Sequence, residues 1–264
     1  ERRDKEEDPG TSDPPYQPPL GSTRALPSRR NGEPVGGLVG GGGGSGRRRA
    51  SMAPREPFGM FYVAVDPSSK YEKLMGIITM GPYFLMCAMV VLSARCRELA
   101  TLSWLAGQLL NEVSNYVFKR LLKQPRPPGA PRVGMHESGM PSNHAQFMGF
   151  FVAFAVLVIV YRLRGYHPLE KALALAGTVT LGLLVCHSRL LFGFHTFEQV
   201  AVGFVIGVAS GCLWYALCRV AVFPHAKSLV GSPLARLLQL RDASHVDNVI
   251  AFERAAYTGG GKSS

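Results

Sequence analysis

Acidic residues, cysteines and metal-ligand spacings are all scarce in this 264-residue sequence. The five cysteines are odd in number and form no Cys-x-x-Cys pair, and Cys87, Cys186, Cys212 and Cys218 lie within or at the edge of apolar runs. That usage argues against a disulfide framework and for small packing side chains. Glu137 is the only acid between positions 119 and 143, and no His-x-x-x-His pair or carboxylate cluster stands nearby, so neither a metal nor another cofactor is expected. No apolar stretch near residue 1 has the character of a cleavable leader, which leaves membrane targeting to the first spanning helix. With no initiator Met, the natural start is expected upstream of Glu1.

A net charge of +11 raises a nucleic-acid reading that its distribution removes. Residues 1–56 hold ten basic and eight acidic residues, so +9 remains on residues 57–264, much of it in short loops between apolar runs. Arg47, Arg48 and Arg49 follow a Gly run and read as part of a solvated low-complexity tail. No nucleic-acid partner and no obligatory protein partner are expected.

Although 47 % of the residues are hydrophobic, mean hydropathy is only +0.09, because two regimes are averaged. Residues 1–56, rich in Pro, Gly, Arg and acids, read as a disordered tail; residues 57–223 read as a transmembrane domain and 224–264 as a carboxyl tail. Five spans are expected near 74–94, 99–118, 145–161, 172–188 and 199–218, which makes the fold an all-α polytopic helix bundle in the lipid bilayer. The 21 uncharged positions from Leu74 to Ala94 match a hydrocarbon core of roughly 30 Å at about 1.5 Å per residue. In the second span Gln108, Glu112, Asn115 and Lys119 recur at helical spacing, which predicts one polar face turned into the bundle. In the fifth, Gly203, Gly207 and Gly211 fall four apart and predict a groove that admits a neighbouring helix closely. Around Leu237 to Phe252 apolar and charged residues mix as in a helix lying at the membrane interface.

With five spans, the loops at 119–143 and 189–198 emerge on the same membrane face. The other face carries Arg95, Arg97, Arg162, Arg164, Lys171, Arg219 and Lys227, which the positive-inside tendency turns to the cytoplasm. Lys119, Arg120, Lys123, Arg126 and Arg132 on the first face weaken a bare count of charge.

Three segments gather three cations, a serine and two histidines on that first face. They are Lys119 with Arg126-Pro127, Pro141-Ser142-Asn143-His144, and Ser188-Arg189 with His195 six positions after the arginine. A phosphate dianion asks for such a set: Lys as a mobile point charge, Arg as a planar fork, and a hydroxyl donor. Ser142 and Asn143 precede the third span, so their backbone amides are expected to aim at the anion from a helix N-terminus. Two histidines suit phosphoryl transfer, one neutral imidazole attacking phosphorus while the other, protonated, gives its proton to the leaving oxygen.

In order and spacing, these blocks resemble the signature of the type-2 phosphatidic acid phosphatase superfamily, whose shared fold also includes vanadium haloperoxidases. The resemblance implies that Lys119, Arg126 and Arg189 bind phosphate with Ser142, that His144 is the general acid, and that His195 is the nucleophile of a phosphohistidine. Asn143 joins the phosphate-binding set. The superfamily usually places Asp four residues after the nucleophilic His, where this chain has Gln199 beside Glu198. A Gln carbonyl one helical turn away can orient the ring without adding negative charge, so Gln199 is expected to orient His195.

Asn111-Glu112 with Asn115, Gly139-Met140-Pro141-Ser142 with His144 and Gln146-Phe147-Met148, and His195-Thr196 with Gln199-Val200 resemble the dolichyl diphosphate phosphatases. So does Leu240-Arg241-Asp242 with Ser244 and Asn248-Val249 through Phe252-Glu253. That resemblance implies hydrolysis of dolichyl diphosphate to dolichyl phosphate and phosphate, recycling the lipid carrier of protein N-glycosylation. It also implies the endoplasmic reticulum membrane, with the site toward the lumen. A broader lipid phosphate phosphatase acting on phosphatidate or isoprenyl phosphates would use the same residues. A non-catalytic scaffold or transporter is the rival from another class, motivated by the polar second span and the glycine-faced fifth. His187 reads as a packing residue, His136 as a solvated loop residue, and Glu112 as either a structural partner of Lys119 or Asn115 or a ligand-site residue.

Overall fold

The computed structural model describes residues 56–58, 63–130, 138–243 and 245–259. The expected disorder of residues 1–56 thus falls outside the described residues except at Glu56, as do the readings of Arg132, His136 and Glu137. A short strand β1 (Glu56–Phe58) pairs antiparallel with β2 (Val63–Val65), Glu56 opposite Val65. Helices follow in the order α1 (Lys70–Ile78), α2 (Gly81–Cys96), α3 (Leu99–Leu122), α4 (Asn143–Tyr161), α5 (Pro168–Leu191) and α6 (Phe197–Leu217). Short helices α7 (Ala226–Gly231) and α8 (Pro233–Leu237) and then α9 (Val249–Gly259) follow among the described residues. The strand pair adds to the all-α expectation. Its alternate residues Val63 and Val65 bury one face against Met75, Phe192 and Phe194, and so cover the turn between α5 and α6.

Among the described residues, four helical runs are long and apolar enough to cross a membrane: Lys70–Cys96, Asn143–Tyr161, Pro168–Leu191 and Phe197–Gly231. The second span of the sequence reading, α3, has the length, 24 residues, but a less apolar composition. Its polar face is the reason: Ser103, Gln108, Asn111, Asn115 and Lys119 are buried, whereas Leu109, Leu110, Val113 and Val117 point outward. The inward polar stripe follows the helical spacing of those residues, as the sequence predicts.

The bundle is built around α4. Gly203, Gly207 and Gly211 press α6 against its backbone; a Cβ at Gly203 would lie 2.7 Å from the Ser142 carbonyl oxygen and one at Gly211 2.9 Å from that of Phe150. Gly207 meets the Gln146 carbonyl, and Gly149 returns the contact from α4 to Phe204. Only glycine leaves the room for such an approach, and the close packing substitutes for the hydrophobic drive that lipid does not supply.

The span read over 74–94 falls inside the Lys70–Cys96 run, built as two successive helices: α1 ends at Ile78 and α2 starts at Gly81, with Pro82 in its first turn, where a residue without an N–H is tolerated. One expectation is corrected: the interfacial helix read over Leu237 to Phe252 does not form as one element. After α8, Gln239 takes a left-handed conformation (φ 55°) and the Leu240 N–H donates to the Ala235 carbonyl at 2.8 Å, which closes the helix. Arg241 then pairs through its backbone with Arg97 and Leu99 (2.9 and 3.0 Å), and α9 begins only at Val249, where the Asn248 side chain accepts the Ala251 N–H at 2.9 Å.

Candidate active site

Lys119 lies in the last turn of α3, which stops when Lys123 turns left-handed (φ 47°) ahead of Pro125, Pro127 and Pro128. The prolines stiffen the segment that carries Arg126. Its return is pinned where the Gly139 N–H donates to the Gln124 carbonyl at 2.7 Å. Lys119 is buried and Arg126 half-buried.

Ser142 caps the start of α4, and a buried network fixes that start against α3. Asn115 Nδ2 donates to Gln146 Oε1 at 2.8 Å, while Gln146 Nε2 donates to Asn111 Oδ1 at 3.0 Å and to Ser114 Oγ at 2.9 Å. Each amide is matched, so α3 and α4 hold one register and Lys119 keeps its place near Glu112, Arg126 and Arg189. One expectation fails here. The Ser142 N–H does not aim at an anion, because it donates to the Gln199 carbonyl at 3.1 Å. The Ser142 hydroxyl, fully buried, has no hydrogen-bond partner among the described residues. The Asn143 side chain sits against Glu112, and Glu112 also lies within electrostatic reach of Lys119. Glu112 therefore borders the site through Asn143 and Lys119; Asn115 is instead taken by Gln146.

The third block occupies the α5–α6 turn. Arg189 is buried, its Nη1 donating to Thr79 Oγ1 at 3.0 Å and its Cζ lying 3.9 Å over the Phe194 ring. α6 opens with a capping box in which Thr196 and Gln199 satisfy each other's backbone. Gln199 does more. Its Nε2 donates to the Pro125 carbonyl at 2.8 Å, and since a carbonyl only accepts, the amide's orientation is settled and Oε1 faces His195 Nδ1 at 3.2 Å. Nδ1 must then carry the ring proton, leaving the lone pair of the neutral imidazole on Nε2. Burial, with the Arg189 guanidinium beside it and Arg126 and Lys119 further off, pushes the His195 pKa down to about 3 against the raising effect of the Gln199 hydrogen bond. His195 is consequently neutral at physiological pH.

His144 lies within electrostatic reach of Arg189, His195, Lys119 and Arg126, so the three blocks meet. Burial also lowers the proton affinity of the Arg126 guanidinium, which nonetheless stays cationic. Three buried or half-buried cations, Lys119, Arg126 and Arg189, thus gather around the imidazoles of His144 and His195, a charge arrangement suited to an anion. Among the described residues no group of three or more His, Cys, Asp or Glu is arranged to hold a metal ion.

Sequence reasoning missed Thr79, Tyr83 and Gly139. Tyr83 sets its ring edge-on to His144 (5.5 Å, 77°), and Gly139 lies so close to Gln199 that an added Cβ would sit 2.7 Å from its Nε2. Thr79 and Tyr83 come from the α1–α2 junction of the first span, and no spacing rule links them to residues more than sixty positions away. Gly139, in contrast, stands inside the Gly139-Met140-Pro141-Ser142 segment. His187, read as a packing residue, hydrogen-bonds Tyr71 through Nε2 at 2.8 Å on an exposed surface.

Residues 100–222, which contain every one of these blocks, match the sequence model of the PAP2 superfamily. Dolichyldiphosphatase 1 of Rhinolophus ferrumequinum is 32 % identical over 205 residues, covering 75 % of this chain and 86 % of that one. Its Homo sapiens counterpart is 30 % identical over 204 residues with the same coverage, and the dolichyldiphosphatase of Saccharomyces cerevisiae is 31 % identical over 164 residues, 60 % of this chain and 69 % of that one. A solved structure, a transmembrane PAP2-type phosphatidylglycerolphosphate phosphatase from Bacillus subtilis, shares the fold with a TM-score of 0.50 over 60 % of this chain and 82 % of that one, at 21 % identity. The match to the dolichyldiphosphatases over three quarters of the chain, the shared helical fold and the three blocks inside the matched region together make this chain a membrane-spanning phosphatase of the PAP2 superfamily, in the dolichyldiphosphatase family.

Proposed function

We infer that the protein hydrolyses dolichyl diphosphate to dolichyl phosphate and orthophosphate. The substrate class is supported by the relatives, and the chemistry by one observation: a neutral His195 whose free Nε2 is left beside the cation set once Gln199 claims Nδ1. Lys119, Arg126 and Arg189 with the Ser142 hydroxyl hold the terminal phosphoryl group, and Asn143 borders it. His195 Nε2 attacks the terminal phosphorus as the bond to the bridging oxygen breaks, and the electron pair leaves on the dolichyl phosphate oxygen, which His144 protonates. Water then attacks the phosphohistidine and His144 takes its proton, which releases orthophosphate and restores neutral His195. Preplaced cations meet the charge of the transferring phosphoryl group without reorganisation.

The reaction recycles the lipid carrier of N-glycosylation in the endoplasmic reticulum membrane, with the site toward the lumen. That orientation is supported by the arginines and lysine of the opposite loops, Arg95, Arg97, Arg162, Arg164 and Lys171. The test is phosphate release by the purified protein from dolichyl diphosphate and from phosphatidate, with His195→Ala alongside. Wild type should prefer the diphosphate, and the variant should lose turnover and any acid-labile phosphoenzyme; a phosphoenzyme retained without His195 would overturn the nucleophile, and a preference for phosphatidate would replace the substrate.

A further inference from the structure

At the end of the bundle away from His195, the C-terminal ends of α4 and α6 frame a cavity of about 360 Å³. Three arginines, Arg162, Arg164 and Arg219, share its wall with the rings of Tyr161, Tyr215 and Phe223. Since α4 runs from Asn143 to Tyr161, its 19 residues put the cavity about 28 Å from the catalytic end, at about 1.5 Å per residue.

The three arginines are not equivalent. Arg162 is committed to the fold: its Nη2 meets Glu98 Oε1 at 2.5 Å and its Cζ lies 5.6 Å over the Phe223 ring. Arg164 and Arg219 are exposed and form no ion pair among the described residues. Among the described residues Asp247 is the one acid in the wall, so with Arg162 neutralised by Glu98, two guanidiniums face a single carboxylate and the cavity keeps a net positive charge. Val160, Leu217 and Val220, in the last turns of the same two helical runs, expose 46 %, 48 % and 76 % of their surface. Apolar side chains at that depth meet acyl chains, and the arginines just beyond them meet headgroups.

We propose that this cavity binds the phosphate of an anionic phospholipid headgroup in the leaflet opposite the catalytic site. Arg164 and Arg219 supply planar forks for the phosphate oxygens, the Tyr161 and Tyr215 rings supply walls, and the acyl chains run along Val160, Leu217 and Val220. Among the described residues the cavity has no histidine to match the His144–His195 pair, so the bound lipid is retained, not hydrolysed. Asp247 ties the cavity to the carboxyl segment, whose Asn248 donates to the Gly165 carbonyl at 3.0 Å, so occupancy also holds that segment against the α4–α5 turn.

The test uses the full chain purified from bilayers of phosphatidylcholine with phosphatidylserine, with co-purified lipid quantified by mass spectrometry. Wild type should enrich phosphatidylserine, and Arg164→Gln and Arg219→Gln should each cut that enrichment about fivefold, the equivalent of about 1 kcal/mol per arginine near an anionic surface. Both variants should keep phosphatase activity in pure phosphatidylcholine, which shows that they fold. Arg164→Lys should retain most of the enrichment. A photoreactive phosphatidylserine should label wild-type peptides spanning 160–166 or 215–224. Undiminished enrichment in the double Gln variant, or labelling confined to other peptides, would overturn the proposal. So would a rise in melting temperature with inorganic phosphate that needs Arg164 and Arg219 while phosphatidylserine is not enriched, since the site would then belong to a free anion.

Discussion

Replacing Gln199 by Glu exchanges one NH2 for one oxygen and leaves the shape of the side chain unchanged. One carboxylate oxygen can still accept from His195 Nδ1 and the Thr196 N–H, which the native Oε1 meets at 3.2 and 3.3 Å. The other takes the place of Nε2, 2.8 Å from the Pro125 carbonyl and 3.4 Å from Gln124 Oε1, where two acceptors now oppose it. A lost hydrogen bond that leaves a buried acceptor unpaired costs about 1–3 kcal/mol. The strain falls on the segment carrying Arg126, so kcat/KM should drop about 10- to 100-fold, at roughly 1.4 kcal/mol per factor of ten, with much of the loss in KM. The charge adds a second, separable effect. A negative neighbour favours imidazolium, so the His195 pKa should rise from about 3 and the acidic limb of the kcat/KM profile should move to higher pH, because the protonated ring cannot attack. Gln199→Asp should move the limb in the same direction. Gln199→Ala removes acceptor and donor without adding charge, so it should lose rate without an upward shift of the limb. The assay is the pH dependence of dolichyl diphosphate hydrolysis for all four proteins in one detergent, with membrane insertion checked for each. Wild-type kinetics in Gln199→Ala, or an acidic limb that does not rise in Gln199→Glu, would refute the coupling of His195 to the Arg126 segment.

Removing His144 should slow hydrolysis of the natural diphosphate strongly and that of substrates with better leaving groups less, since those need less protonation; equal losses would argue against a general acid. Thr79→Val deletes the oxygen that accepts from Arg189 at 3.0 Å while keeping volume, so KM should rise about tenfold, and unchanged kinetics would show that Phe194 alone positions the guanidinium. Gly207→Ala drives a methyl group into the Gln146 carbonyl and should destabilise the fold by about 1–3 kcal/mol, whereas Gly177→Ala, with nothing within 4 Å, should be neutral in the same thermal unfolding assay.

Much of this protein was legible because bilayer thickness and helical periodicity act locally. An uncharged run of the right length has few other fates, and Gln108, Asn115 and Lys119 share a face wherever the helix is placed. The glycine stripe announced a close approach, and the structure adds what approaches: the carbonyls of Ser142, Gln146 and Phe150. The three blocks could be paired with phosphate chemistry because their residue types already match the charge and geometry of a phosphate. Where local rules competed with distant contacts, the reading failed. Leu240 and Arg241 look compatible with a helix, yet their backbone groups are taken by Ala235, Arg97 and Leu99. The Ser142 N–H looks available at a helix start, yet the Gln199 carbonyl reaches it first.

Length and apolar runs therefore determined a membrane helix bundle by themselves, and the order of Lys119, Arg126, Ser142, His144, Arg189 and His195 singled out the candidate site at one end. Only the tertiary structure decided how that site is poised. Thr79 meets Arg189 across 110 positions and Gln199 meets the Pro125 carbonyl across 74, and it is the second contact that turns the Gln199 oxygen toward His195 and leaves Nε2 free. A hydrogen bond's direction depends on which group is donor and which acceptor at a separation near 3 Å. No sequence spacing encodes that separation between segments joined only by folding.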